Sequence, residues 1–103
     1  MQQPRIVLSI DARSDLFELE RYIAEHDGEL RAELIMGRIT ETIRTLAFMP
    51  GMGRTRPYLT GDTRAFAVPP WIVIYTTLPD LDGIRVARII DGRRDLLTVL
   101  GTN

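Results

Sequence analysis

A chain of 103 residues, 45% apolar and 26% charged, has the size and composition of one folded domain, and we expect a single domain over residues 1–103. The absence of cysteine excludes disulfides and thiolate metal sites, and His26 as the single histidine excludes a histidine cluster for zinc. No apolar run approaches the length of a membrane span, and the N-terminus has no signal-peptide pattern. We therefore expect a cytoplasmic protein without a metal or other cofactor.

The net charge of −1 is unevenly distributed along the chain. Residues 1–50 carry six arginines and nine acidic residues, whereas residues 51–103 carry seven arginines and five acidic residues, and lysine is absent. A protein that binds nucleic acid usually has a strongly basic balance, because phosphate neutralisation supplies much of its affinity. The charge pattern favours an acidic protein partner for the C-terminal half over a nucleic-acid surface.

The N-terminal half predicts one strand followed by two helices. Residues 6–10 form a short apolar run, and Ser9 can cap the helix that follows. Gly28 separates two stretches with helical spacing of apolar residues, and Pro50 ends the second. Helices joined by so short a connection should form an antiparallel hairpin. Gly37 lies within the second helix, where glycine destabilises the helix by about 1 kcal/mol relative to alanine. We therefore predict that Gly37 packs closely against the first helix.

The C-terminal half predicts three strands at residues 64–68, 71–75 and 84–90, after a loop rich in glycine and proline. Residues 95–100 are compatible with either a last helical turn or a short strand. The order describes an α+β domain: β-α-α-β-β-β with a short C-terminal element, an antiparallel sheet and an N-terminal helical hairpin packed on one face. The other sheet face should be partly open to a partner.

The residue types used for catalysis are better explained by local structure, and we predict no catalytic residue. Ser9 and Ser14 are helix-capping residues, and His26 lies at the end of the first helix, where a cation favours the helix dipole. Asp15 and Glu18 are expected on a solvated helix face. Acidic residues at 80 and 82 are typical of a turn before glycine rather than of a metal site.

Arginines on or beside the predicted sheet are the strongest candidates for a functional site, because arginine holds carboxylates or phosphates with two parallel hydrogen bonds. Arg88 should share a strand face with Ile84, Val86 and Ile90, so we expect it to be partly buried and paired with Asp95 or a helix acid. Such an internal pair is as consistent with the pattern as a binding role. Residues predicted to bind a partner are Arg64, Trp71, Tyr75, Arg88, Arg93, Arg94 and Asp95.

A series of short sequence features extends along nearly the whole chain. They are Ala12 with Asp15-Leu16, Tyr22-Ile23, Leu46 with Pro50 and Gly53-Arg54, Val73-Ile74-Tyr75, Arg88 and the Gly92-Arg93-Arg94-Asp95 corner. In this order and spacing the chain resembles the ParE/RelE superfamily of toxins from bacterial toxin–antitoxin modules. Many relatives carry histidine before the glycine of that corner, whereas this chain has Asp91.

The resemblance implies a RelE/ParE-like fold and a toxin function. Ribosome-dependent mRNA endonucleases of the superfamily use a lysine, an arginine and a late tyrosine or histidine, whereas this chain has no lysine and neither tyrosine nor histidine after Tyr75. The resemblance therefore implies the ParE branch, non-enzymatic inhibitors of DNA gyrase. Two alternatives stay open: a ribosome-dependent mRNA endoribonuclease of the RelE type, and a module that binds antitoxin without toxicity.

The resemblance also implies the partners. It points to a ParD-like antitoxin with an acidic, amphipathic tail that folds along the toxin, in a heterotetramer or a larger hetero-oligomer. DNA gyrase is the implied target. We expect no membrane association and no direct sequence-specific binding of nucleic acid.

Overall fold

Two helices lie on one face of a five-stranded sheet in the computed structural model, which describes residues 3–80 and 82–93. The predicted C-terminal element at residues 95–100 lies outside the described residues. A single 3₁₀ turn, Pro50–Met52, follows the second helix. The elements are β1 (Arg5–Leu8), α1 (Ile10–Asp27), α2 (Glu29–Phe48), β2 (Arg54–Thr55), β3 (Arg64–Val68), β4 (Trp71–Thr77) and β5 (Gly83–Asp91).

The strand order is β1-β5-β4-β3-β2, and neighbouring strands are antiparallel except β1 and β5, which are parallel. The predicted α+β class, with a helical hairpin on one face of a mostly antiparallel sheet, is confirmed. The parallel β1–β5 pair and the two-residue strand β2 are additions to the prediction. A parallel pair needs a crossover connection between its strands, and the helical hairpin lies on the chain between β1 and β5.

The helix boundaries follow the capping residues. The Ser9 hydroxyl accepts a hydrogen bond from the Ala12 amide at 2.9 Å and donates one to the Ala87 carbonyl oxygen at 2.7 Å, which ties the start of α1 to β5. Gly28 ends α1 with φ +92°, a left-handed conformation that favours glycine, and α2 begins at the next residue. The predicted helix–Gly28–helix arrangement is confirmed.

The main core lies between the helices and one face of the sheet. Its most deeply buried large side chains are Tyr75, Ile39, Leu46, Ile84, Val73 and Val86. A smaller cluster of Ala65, Ile74 and Ile90 occupies the opposite face, and Leu59 from the β2–β3 loop packs against it. The face that we expected to be open is therefore partly covered by a loop.

Gly37 does not pack against α1, and our prediction for this residue is wrong. A side chain added there would meet nothing within 4 Å, and the residue is exposed. The hairpin is instead held by the inward stripe of each helix, including Ile23 of α1 and Ile39 of α2. The glycine has no packing role within the described part of the chain.

A bulge in β5 corrects the predicted strand face of Arg88. The pairing with β4 runs from Tyr75–Val86 directly to Ile74–Arg88, so the register skips Ala87. Val86 therefore faces the helices, whereas Arg88 is opposite a residue of the other sheet face. In the strand register Arg88 falls with Ile90 and not with Ile84 or Val86, because the extra residue reverses the alternation, and from this position its long side chain reaches Asp15 of α1.

Candidate partner-binding groove

An open groove of about 720 Å³ lies between α1, the start of α2 and the ends of β4 and β5. We call it the hairpin groove. Apolar side chains from all three sides line it, including Leu19, Ile35, Trp71 and Ile89. Charged residues of both signs surround them: Asp15, Glu18, Asp27, Arg31, Arg88, Asp91 and Arg93. An apolar floor with charges of both signs suits an amphipathic peptide better than a small molecule of one charge.

Asp15 and Arg88 form the half-buried ion pair of the groove. The Asp15 carboxylate accepts hydrogen bonds from Arg88 Nε at 2.8 Å, Arg88 Nη2 at 3.1 Å and the Ile89 amide at 2.9 Å. The side chains are 27% exposed for Arg88 and 16% for Asp15, so the prediction of a solvated Asp15 is wrong. The prediction that Arg88 is partly buried and paired with a helix acid is confirmed. Its hydrogen bonds with Asp15 raise the pKa of Arg88.

Arg93 lies at the outer end of the groove and is held by the last residue of β5. Asp91 accepts from Arg93 Nε at 2.9 Å, from Nη2 at 2.7 Å and from the Arg93 amide at 2.9 Å. The Arg93 side chain is 74% exposed, and the hydrogen bonds with Asp91 raise its pKa. The bidentate hydrogen bonds to Asp91 thus fix the orientation of the Arg93 guanidinium, which remains exposed to solvent.

Arg31, in the first turn of α2, contributes a positively charged side chain to the groove. Among residues 3–80 and 82–93, no carboxylate lies within 4.0 Å of its guanidinium. On the opposite side Tyr22, 60% exposed, stacks on His26 with ring centroids 4.1 Å apart. His26 lies in the last turn of α1, as predicted, and its Nδ1 is 2.8 Å from the Tyr22 carbonyl oxygen.

Tyr75 and Arg64 lie outside the groove lining, at the crossover between α2 and β2. The Tyr75 hydroxyl donates to the Pro50 carbonyl oxygen at 2.6 Å and accepts from the Gly53 amide at 2.8 Å. Arg64 Nη1 donates to the Gly53 carbonyl oxygen at 2.8 Å. Tyr75 is 0% exposed, and burial raises the pKa of its phenol. Both residues therefore have a structural role within this chain, where they stabilise the crossover.

Of the seven predicted site residues, the structure brings together Trp71, Arg88 and Arg93. Arg94 and Asp95 lie outside the described residues. Asp15, Tyr22 and Arg31 line the groove but were absent from the prediction. Positions 15 and 22 are seven residues apart and border the apolar stripe of α1, a spacing that indicates one side of a helix and could have suggested them.

The fold and the groove describe a small α+β domain with an open, partly apolar groove beside its helical hairpin. The solved structure described as the chromosomal ParDE toxin–antitoxin system from P. aeruginosa is similar to it. The TM-score is 0.72, with 18% sequence identity over 86% of this chain and 96% of that chain. At this identity the likeness establishes the fold alone.

The family model described as the ParE toxin of type II toxin–antitoxin systems, parDE, matches residues 6–96. The chain therefore belongs to the ParE toxin family. A search of curated proteins finds no match. Within the described residues, neither helix combines the length and apolar character needed to cross a membrane.

Proposed function

We propose that this chain inhibits DNA gyrase by binding it, without catalysing a reaction, and that a ParD-like antitoxin neutralises it in the cytoplasm. Membership of the ParE family supports the toxin role. The observation that carries the non-enzymatic part is the pairing in the groove, where Asp15 binds Arg88 and Asp91 binds Arg93. An arginine stabilises the transition state of phosphoryl transfer most when its N–H donors point at the substrate. In this groove, Nε and Nη2 of both arginines donate to aspartates instead.

The hairpin groove is the surface that we assign to the antitoxin. Its floor includes Trp71 and Ile89, which can take the apolar side of an amphipathic segment. Arg31 is placed to bind a carboxylate from that segment, which is consistent with an acidic tail. An antitoxin that is itself a dimer would assemble two toxin chains into a heterotetramer or a larger complex.

The toxin role is tested with purified full-length chain in two assays, supercoiling by DNA gyrase and translation on ribosomes. We expect inhibition of supercoiling or trapping of cleaved DNA, with ribosome-bound mRNA left intact. Codon-positioned mRNA cuts would favour the endoribonuclease instead. One observation supports that second function, because Tyr22 lines the same groove as Arg31 and Arg93 and could supply a proton. Loss of the cuts in Tyr22→Phe would establish it.

The antitoxin surface is tested by titrating a purified ParD-like antitoxin into the full-length chain. Arg31→Glu and Trp71→Ala should each weaken the complex about tenfold or more, because each removes a contact at the groove. Arg13→Glu is the matched control, since Arg13 is exposed on α1 but does not line the groove. Equal affinities for all three variants would exclude this groove as the antitoxin site.

A further inference from the structure

The surface of α2 that faces away from the core carries a second regular pattern. Six exposed residues repeat at intervals of four and three, and we call them the outer seam: Leu30, Leu34, Gly37, Glu41, Arg44 and Phe48. Leu30 is 79% exposed, Leu34 68% and Phe48 58%. Large apolar side chains this exposed on an ordered helix indicate a contact surface when they lie in one line.

The spacing of the outer seam is that of a helix that packs along another helix. Intervals of four and three average 3.5 residues, the repeat that keeps a stripe facing a partner helix. The seam covers about 27 Å at a rise of 1.5 Å per residue. This length is sufficient for a side-by-side helix pair.

Gly37 stands near the middle of the outer seam. A side chain there would meet nothing within 4 Å, so packing in the described part of the chain does not explain the glycine. Glycine in a helix interior is unfavourable by about 1 kcal/mol relative to alanine, but it lets a second backbone approach closely. The cost is compensated if another helix packs at this point.

The charges beside the seam are arranged for pairing with a copy of the same helix. Glu33 borders the N-terminal half of the seam, and Arg44 lies in its C-terminal half, eleven positions further on. When two copies of α2 lie antiparallel with Leu30 of one opposite Phe48 of the other, Glu33 of each falls beside Arg44 of the other. Arg44 already binds Glu41 at 2.8 Å, and a guanidinium has enough donors for a second carboxylate.

We propose that α2 pairs with α2 of a second copy of this chain through the outer seam, which makes the free protein a two-fold symmetric dimer. The two-fold arrangement uses each apolar contact and each ion pair twice. The seam suits a second copy better than an acidic segment, because an acidic segment would meet Glu33 and Glu41 as well as Arg44, whereas a reversed copy brings Glu33 to Arg44. The surface is separate from the hairpin groove, so the proposal does not depend on the antitoxin site.

Sedimentation velocity of the full-length chain over a wide concentration series tests the proposal. We expect a reversible monomer–dimer equilibrium, with Leu34→Glu monomeric under the same conditions. Phe17→Glu is the matched control, because Phe17 is 63% exposed on α1 and outside the seam. Circular dichroism melts check that each variant is folded. A wild-type chain that stays monomeric, or a folded Leu34→Glu variant that dimerises like wild type, would overturn the proposal.

A charge exchange tests the pairing itself. Glu33→Arg and Arg44→Glu should each raise the dimer Kd about tenfold or more, because each places like charges together twice. An equal mixture of the two variants should recover dimerisation, since every cross-chain contact then joins opposite charges. Failure of the mixture to associate would contradict the antiparallel arrangement. Loss of antitoxin binding in Leu34→Glu, with wild type monomeric, would assign the seam to the antitoxin instead.

Discussion

Asp15 holds Arg88 and the Ile89 amide together at the point where β5 departs from regular pairing. Its carboxylate lies 2.8 Å from Arg88 Nε and 2.9 Å from the Ile89 amide nitrogen, directly after the residue that the register skips. One helix side chain thus supplies the acceptor for a strand amide and a half-buried cation. The contact joins α1 to the strand that borders the hairpin groove.

Replacing Asp15 should destabilise the fold. Asp15→Ala removes the carboxylate that accepts hydrogen bonds from Arg88 and from the Ile89 amide, and we expect a loss of about 2–3 kcal/mol in the free energy of unfolding. Urea unfolding followed by circular dichroism measures it. Arg21→Ala is the control, because its partners Glu18 and Glu25 are exposed and the change should be small. Equal stability of the two variants would show that the Asp15 pair contributes nothing measurable.

Gly53 should tolerate no side chain. A Cβ at this position would lie 2.8 Å from Tyr75 Cε1 and would overlap the phenol oxygen, so Gly53→Ala should cost about 1–3 kcal/mol through displacement of a fully buried ring. Gly51→Ala is a matched control in the same crossover, since a Cβ there meets nothing within 4 Å. Thermal melts of the two variants measure the difference. If Gly53→Ala and Gly51→Ala have the same melting temperature, the crossover adapts to the extra methyl group.

Stability should fall at alkaline pH because of Tyr75. Burial raises the pKa of this phenol in the folded state above its ordinary value, so folding favours the neutral form. The contribution of Tyr75 to folding stability is complete below about pH 10, the ordinary pKa of a tyrosine phenol. It is lost as the pH rises through the pKa that the phenol has in the folded state. Urea unfolding at a series of alkaline pH values measures the slope, which should be shallower in Tyr75→Phe. Identical slopes would exclude Tyr75 as the source.

Gly37→Ala should stabilise the isolated chain. The position is helical and open, so the free energy of unfolding should rise by about 0.5–1 kcal/mol when measured in dilute monomer. Gly28→Ala is the contrasting change, because φ of +92° strains any residue with a side chain and should lower stability. A loss of stability in Gly37→Ala under these conditions would reveal a contact at Gly37 within the monomer.

Most of the secondary structure could be predicted because its signals are local. The stripe of apolar residues on each helix, the glycine between them and the aromatic and β-branched residues at 64–68 and 71–75 all act through neighbours a few residues away. The predicted strand at 64–68 agrees with β3 at both ends. Strand β2 was missed because two residues carry no periodicity.

The candidate site was only partly predictable, because its residues come from distant parts of the chain. Partial burial of Arg88 was predicted from its strand, although the bulge changed the face on which it lies. Asp15 lies 73 residues away on a helix where it resembled a surface acid. The even spacing of Trp71 and Tyr75 indicated one strand face correctly. Spacing did not distinguish a groove residue, Trp71, from a crossover residue, Tyr75.

The amino-acid sequence by itself determined the order of the elements, the hairpin of two helices and the resemblance that placed the chain among ParE toxins, because these depend on local periodicity and on motif order. Only the tertiary structure decided which arginines share a groove, which carboxylate each one meets and which face of α2 is left uncovered. Those outcomes depend on the parallel return of β5 beside β1 and on the bulge at Ala87. Both are long-range pairings whose free energy comes from the whole sheet, so no short stretch of sequence encodes them.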